Sequence, residues 1–198
     1  MLSWFESKSR SCLEIGSGHE KLSMWVYISK LDAAKRQLET ALHFFLRNGD
    51  PVSVHSLASD AHQLLEDICS KRGIISLRKD VLSRVKEEYK NEISSKLKEA
   101  RHFFKHADRN TEGILNFNTD ATPMILWDAC RMYVSLTSEN VPLMKVFNLW
   151  HYANHPNSLI LSDEERKTYN DAIGDLDPKN RGAFLQLLPP LEASHYKA

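Results

Sequence analysis

The stretch LDAAKRQLETALHFFLRNGDPVSVHSLASDAHQLL, residues 31–65, decides the fold of this chain. Its apolar residues recur at steps of three and four, the spacing that places side chains on one face of an α-helix. The NGDP sequence at 48–51 joins a helix stop to a helix start, because Gly ends a helix in the left-handed conformation at low cost, Asp caps the next helix and Pro suits its first position. The pattern therefore predicts an antiparallel hairpin of two helices, the first over Met24 to Arg47 and the second from Pro51 to a break at Gly73.

The remainder of the chain also favours helices. Residues 108–118 are an exception, since their Asn and Gly residues predict a polar loop with a short extended stretch. Further helices are predicted over 78–107 in two pieces, from Pro123 to Leu136, from Pro142 to Tyr152, after the SDEE capping box at 162–165, and from Asp177 to a stop at Pro189-Pro190.

The predicted fold class is all-α. Only 7 Gly and 7 Pro occur in 198 residues, which argues against a turn-rich β fold. We predict a loose N-terminal extension over 1–23, an antiparallel helical bundle over 24–137, and a C-terminal helical appendage over 138–198 that packs on the bundle.

The charge balance is locally uneven. The 26 Lys and Arg match 26 Asp and Glu, so overall charge does not favour a protein that coats nucleic acid. Residues 71–109, however, contain twelve Lys or Arg and six Asp or Glu. A local phosphate site would explain this excess, and so would a solvated helix face.

The cysteines and the hydropathy pattern indicate a cytoplasmic protein. The three cysteines, Cys12, Cys69 and Cys130, are widely separated, which predicts free thiols rather than a disulfide framework or a thiolate zinc site. No apolar run approaches the roughly 20 residues that span a bilayer, and residues 1–23 lack the apolar centre of a secretory signal. We therefore expect no membrane association.

The stretch KEARHFFKHADR, residues 98–109, concentrates candidate chemistry. Arg binds a phosphodiester through two parallel hydrogen bonds, and His exchanges a proton near neutral pH, as metal-free RNA cleavage requires. Positions five apart on a helix are separated by about 140°, so Arg101 and His106 act together only if the helix ends or bends between them, or if a second subunit completes the site. The alternative is an ordinary helix end, with cations near the C-terminus and Phe103 and Phe104 in the core.

The hairpin and this stretch together resemble HEPN domains. The resemblance covers about residues 27–137: the alanines, leucines and histidines of the hairpin, the Gly49-Asp50 pair, and then Arg101 and His106 with four residues between them. HEPN proteins are helical bundles, many of them ribonucleases of toxin–antitoxin, CRISPR-linked or RNA-processing systems, whose dimers bring two Arg–His motifs to one cleft. A polar residue, commonly Asn, follows the motif Arg in many members, whereas this chain has His102.

The resemblance implies a specific site and specific partners. Arg101 would hold the phosphate and His106 would exchange the proton, without a metal or other cofactor. His102, Lys105 and Arg109 would bind the substrate. The implied partners are RNA, a second copy of the chain in a homodimer, and an antitoxin-like protein.

Other histidines offer alternative sites. The pairs His102/His106 and His151/His155 have the i, i+4 spacing of two metal ligands on a helix, but neither contains the Glu of an HExxH motif, and nine His in the chain produce such pairs by chance. We therefore predict no metal site. A second pair, seven residues apart on the second helix at 55 and 62, either lines a pocket near His43 or flanks the core and bonds neighbouring polar groups.

A non-catalytic function is the competing hypothesis. In that case the protein would be an interaction or scaffold protein that buries its aromatic-rich segment 141–153 against a partner or a second copy of the chain. No P-loop, dinucleotide-binding glycine motif or nucleophile elbow occurs in the sequence to favour another class of enzyme.

Overall fold

The computed structural model describes residues 25–83, 86–156 and 161–195. Within these ranges the secondary structure is helical and contains no β-strand, so the all-α prediction is confirmed. The eight α-helices of these ranges are α1 (Lys30–Leu46), α2 (Pro51–Lys71), α3 (Leu77–Ser83), α4 (Glu87–Lys105), α5 (Ala121–Thr137), α6 (Pro142–Asn154), α7 (Asp163–Ile173) and α8 (Leu188–His195). Short 3-10 segments lie at Ala107–Arg109 and Arg181–Leu187.

Helix α1 begins later than the periodicity predicts. Residues 25–29 are not helical, and the predicted start, Met24, lies outside the described residues. Ser29 stops the helix from extending further: its hydroxyl accepts a hydrogen bond from the Asp32 amide at 3.0 Å, and the Asp32 carboxylate accepts one from the Ser29 amide at 3.2 Å. This reciprocal capping box satisfies amides that have no partner inside the helix.

The turn between α1 and α2 differs from the prediction in one residue. Asn48, not Gly49, adopts the left-handed conformation, with φ of 54°. Gly49 is instead favoured by space, since a Cβ there would lie 3.1 Å from the backbone oxygen of Phe44, which is closer than most Cβ contacts. Asp50 accepts from the Ser53 amide at 2.7 Å and Pro51 occupies the first turn, as predicted.

Helices α1, α2, α5 and α6 bury one apolar core. The hairpin helices pack against each other, α2 also packs on α5, and α6 lies against α1. Fully buried side chains from all four helices meet there, and each large one contributes about 1.5–3 kcal/mol through burial. They include Leu38, Leu42, Leu46, Leu65, Leu126, Met132 and Phe147.

The aromatic residues of α6 pack inside this core. The ring centroids of Phe147 and Trp150 lie 5.7 and 4.8 Å from that of Phe45 on α1. Tyr152 is also buried, with 4% of its surface exposed. These side chains stabilise the chain itself, and little of their surface is left exposed for contact with a partner.

The region after α2 is helical in two pieces, as predicted. Helix α3 ends at Ser83, and α4 starts at Glu87 and packs against α2. The following segment, 110–120, is a loop in which Leu115 and Phe117 are half-buried. Its alternation of inward and outward side chains is typical of extended backbone.

The C-terminal end contains one confirmed prediction and one helix whose predicted start and end are both wrong. Ser162 and Glu165 form the predicted capping box of α7. Residues 177–180 are not helical, and the 3-10 segment begins at Arg181. Pro189 and Pro190 do not end the last helix, because they lie in the first turn of α8. Proline is compatible with that turn, where the missing amide hydrogen has no partner to lose.

The structure bears on the predictions of free thiols and of no membrane-spanning helix. Cys69 and Cys130 are free and buried, and Cys12 lies outside the described residues, as does the predicted extension over 1–23. No helix among the described residues has the length and apolar character needed to cross a membrane.

Candidate functional site

The end of α4 presents a cationic face towards α2. Lys98, Arg101 and Lys105 follow one another at steps of three and four, so they share this face. Arg101 donates from Nη1 to Oε1 of Gln63 at 3.0 Å and from Nε to Oδ1 of Asp60 at 3.4 Å, and Lys105 donates to the same Asp60 oxygen. One carboxylate therefore faces two of the three cations, and the face keeps a net positive charge.

Helix α4 ends between the two residues of the Arg–His motif. Lys105 is its last residue, and the His106 amide donates to the His102 carbonyl at 3.0 Å, while the His106 backbone (φ −127°, ψ 77°) leaves the helix. This is the break that the sequence spacing required. The His106 side chain is 44% exposed, and its Nδ1 lies 4.0 Å from Oδ1 of Asp108.

The remaining predicted substrate-binding residues occupy the same end of the helix. The exposed ring of His102 lies 5.9 Å from that of His106, in edge-to-face orientation. Lys105 lies on the cationic face. The backbone of Arg109 closes the short 3-10 segment, and its side chain is outside the described part of the structure.

A cavity of about 480 Å³ opens beside this face. Helices α2, α4 and α5 and the segment 115–118 form its walls. Lys98 and Arg101 line it from α4, but His106 does not. Thus the structure places the predicted phosphate residue, Arg101, at a cavity and leaves its predicted partner, His106, in solvent beyond the helix end.

A buried histidine–aspartate pair lines the same cavity. Nε2 of His62 donates to Oδ2 of Asp128 at 2.8 Å, and Asp128 also accepts from the Leu77 amide and from the guanidinium of Arg131. Burial opposes ionisation of Asp128, but these donors outweigh it, so the pKa of the carboxyl is lowered. The pair fixes both the position and the orientation of the His62 ring.

A second buried carboxylate, that of Glu66, lies on α2 one turn after His62. Glu66 accepts from the Ser76 hydroxyl at 2.5 Å and from the guanidinium of Arg78. Burial raises the pKa of Glu66, while the bonds from Ser76 and Arg78 lower it by more, with a net decrease. This cluster joins α2 to the start of α3 and positions Arg78 at the cavity wall.

His55 completes the polar stripe that α2 contributes to the cavity. Its Nδ1 lies 2.9 Å from Oγ1 of Thr122, and its ring makes edge contacts with Phe104 and Phe117 at 6.0 and 5.0 Å. Burial in this aromatic environment lowers the pKa of the ring. The histidine is therefore neutral near pH 7 and held in one orientation.

Sequence reasoning found only part of this cavity. It placed His55 and His62 on one side of α2, either in a pocket near His43 or flanking the core and bonding neighbouring polar groups. The second alternative is confirmed, since both rings are buried and contact polar residues of α5. It missed Asp128 altogether. The signal was present, because an Asp among the apolar residues of a helix face needs a buried partner.

The residues present do not form a metal centre. No group of three or more His, Cys, Asp or Glu among the described residues has metal-binding geometry. His151 of the second HxxxH pair is fully buried, and its ring stacks on Trp127 at 5.3 Å. Within the described part of the chain, neither ring nitrogen has a hydrogen-bond partner. Burial, with a smaller contribution from nearby His155, lowers the pKa of His151 to about 4.

Comparison with protein-family models, with curated proteins and with solved structures found no match to this chain. The function is therefore argued from the cationic face of α4 and the cavity beside it.

Proposed function

We propose that this chain is a HEPN-like RNA-binding protein that cleaves RNA without a metal ion when two copies associate. The observation that carries the proposal is the placement of Lys98, Arg101 and Lys105 on one face at the end of α4, where the Asp60 carboxylate pairs with the last two of them. Such a face attracts a phosphodiester, and Arg can bind it bidentately.

The proposed reaction needs one base and one acid. A neutral His106 takes the proton of the ribose 2′-hydroxyl as the bond from O2′ to phosphorus forms. The bond from phosphorus to O5′ breaks, and O5′ receives a proton from a protonated imidazole of the second copy. Arg101 balances the charge that builds on the phosphate oxygens. The products are a 2′,3′-cyclic phosphate and a 5′-hydroxyl.

The test separates binding from cleavage. Arg101→Ala and His106→Ala are compared with the wild type for retention of labelled single-stranded RNA and for product formation in EDTA. Lys167→Ala, an exposed cation on α7, is the matched control. We expect Arg101→Ala to weaken RNA binding at least tenfold and both site variants to abolish cleavage. Their circular dichroism spectra should match that of the wild type, and Lys167→Ala should bind and cleave RNA as the wild type does.

Each result has a definite meaning. Full cleavage by both site variants would exclude the proposed reaction. Unchanged RNA affinity in Arg101→Ala would exclude the proposed binding face. Cyclic phosphate ends that depend on both residues would support the complete proposal.

A further inference from the structure

The cavity beside Arg101 has features that phosphate binding alone does not require. Its volume of about 480 Å³ lies in the range of roughly 300–1,000 Å³ that is usual for sites of small organic groups. Apolar side chains of α5 and of segment 115–118, among them Met124, Ile125 and Phe117, form much of its wall. A bare phosphate would gain nothing from these contacts, whereas a flat apolar group attached to a phosphate would.

One wall of the cavity carries oriented hydrogen-bonding groups. His55, Ser59 and His62 lie at steps of four and three on α2, so they form one stripe. Thr122 holds the first histidine and Asp128 the second. The bond from His62 Nε2 to Asp128 fixes the orientation of the ring, and the Ser59 hydroxyl both donates and accepts.

The opposite rim adds amides and positive charge. Asn116 and Asn118 line the cavity from the loop, and an amide side chain both donates and accepts. Lys98 and Arg101 line it from α4 together with Glu99, so α4 contributes two positive charges and one negative charge to the rim. An apolar body, a polar edge and an attached anion are together the chemistry of a nucleotide.

We propose that this cavity binds one unpaired nucleobase of a single-stranded RNA, while Lys98 and Arg101 bind the adjoining phosphate. The proposal rests on the proposed function and specifies its substrate as unpaired RNA. A base inside a duplex is stacked and paired, so it reaches a recessed cavity only after it is unstacked. The fixed histidines and the amides would then contact the edge of the base.

The test compares a random-sequence RNA hexamer with a hexamer of stable abasic nucleotides and with the same RNA in a duplex. Fluorescence anisotropy measures each affinity at one salt concentration. We expect the wild type to bind the RNA hexamer at least tenfold more tightly than the abasic strand or the duplex. A free mononucleotide should compete with the hexamer, because it carries the same base and phosphate.

Two variants narrow the cavity without removing a charge. Met124→Trp and Ala121→Leu alter side chains that line it, and Met124 is 39% exposed, so a larger side chain there needs no rearrangement of the core. Val134→Trp, on the exposed side of the same helix and outside the cavity, is the control. We expect either cavity variant, and not the control, to reduce RNA affinity to the abasic level.

The outcomes distinguish this proposal from the proposed function. Equal wild-type affinity for the RNA and abasic strands would overturn the nucleobase cavity and leave phosphate binding intact. Absence of binding to either strand would overturn both. If both variants fold and keep the full preference for bases, or if a mononucleotide binds without competing, the cavity is not the base site.

Discussion

Helix α2 makes polar contacts with two neighbouring helices, and the two contacts differ in burial and in the number of bonds. Towards α5, Asp128 is only 3% exposed and accepts hydrogen bonds from His62, Arg131 and the Leu77 amide. Towards α4, the side chain of Asp60 is 26% exposed and its partners are two flexible cations. The first contact is buried, and its carboxylate accepts bonds from three donors. The second contact is partly exposed.

This difference separates a structural role from a binding role. A buried charge that loses a partner is left without solvation, so each member of the α2–α5 contact is needed for folding. The ion pairs of Asp60 are only partly exposed, and pairs near the surface contribute about 0–1 kcal/mol, so the cations can exchange a carboxylate for a phosphate at little cost to stability. The cavity lies where these two contacts meet, with the hydrogen-bonded histidines of α2 on one side and cations of α4 on the other.

The largest expected effect on stability is at the buried contact between α2 and α5. Asp128→Asn keeps the shape of the side chain but removes the charge that faces His62 and Arg131, so we expect a loss of about 3–5 kcal/mol in the free energy of unfolding. Urea denaturation measures it. Asp120→Asn, an exposed position at the start of α5 without a side-chain cap bond, is the control and should change little. Equal stability of Asp128→Asn and the wild type would show that the contact is not structural.

The next effect concerns His151, a buried histidine whose ring nitrogens have no hydrogen-bond partner among the described residues. His151 has a folded pKa of about 4 against an ordinary value of 6.5, so the unfolded chain alone takes up its proton between these values. Its contribution to stability is complete above pH 6.5 and decreases as the pH falls towards 4, by about 3 kcal/mol in total.

His151→Phe isolates this contribution. The ring stacks on Trp127, and phenylalanine can keep that contact without two unpartnered nitrogens. We expect the variant to be more stable than the wild type at pH 5 by a larger margin than at pH 7, because only the wild type loses stability through His151 as the pH falls. His55 titrates equally in both proteins, so its effect cancels in the comparison. Thermal unfolding at the two pH values provides the comparison, and an identical pH dependence in both proteins would refute the assignment.

The smallest effect on stability is expected at the partly exposed contact between α2 and α4. Asp60→Asn removes the carboxylate that competes with RNA for Arg101 and Lys105, so RNA affinity should increase several-fold while stability changes by no more than about 1 kcal/mol. Asp171→Asn, an exposed residue of α7, makes the same change of charge elsewhere. Weaker RNA binding by Asp60→Asn than by Asp171→Asn would mean that Asp60 positions the cations rather than competing for them.

The sequence predicted the helices better than the cavity, for physical reasons. Periodicity and the Asp50-Pro51 start depend on neighbours in the chain, so the hairpin and the position of α2 followed directly. The contact between His62 and Asp128 joins positions 66 residues apart, and no local pattern encodes which helices meet. Likewise, the two HxxxH pairs have one spacing but opposite environments, since His106 is exposed and His151 is buried.

The salt dependence of RNA binding tests the cationic face of α4 most directly. For single strands, the slope of log affinity against log salt changes by about 0.7 for each phosphate contact. Arg101→Ala should bind more weakly than the wild type with a slope smaller by about that amount, while Lys167→Ala should match the wild type in both respects. An unchanged slope and affinity in Arg101→Ala would contradict the assignment of this face as the RNA-binding surface.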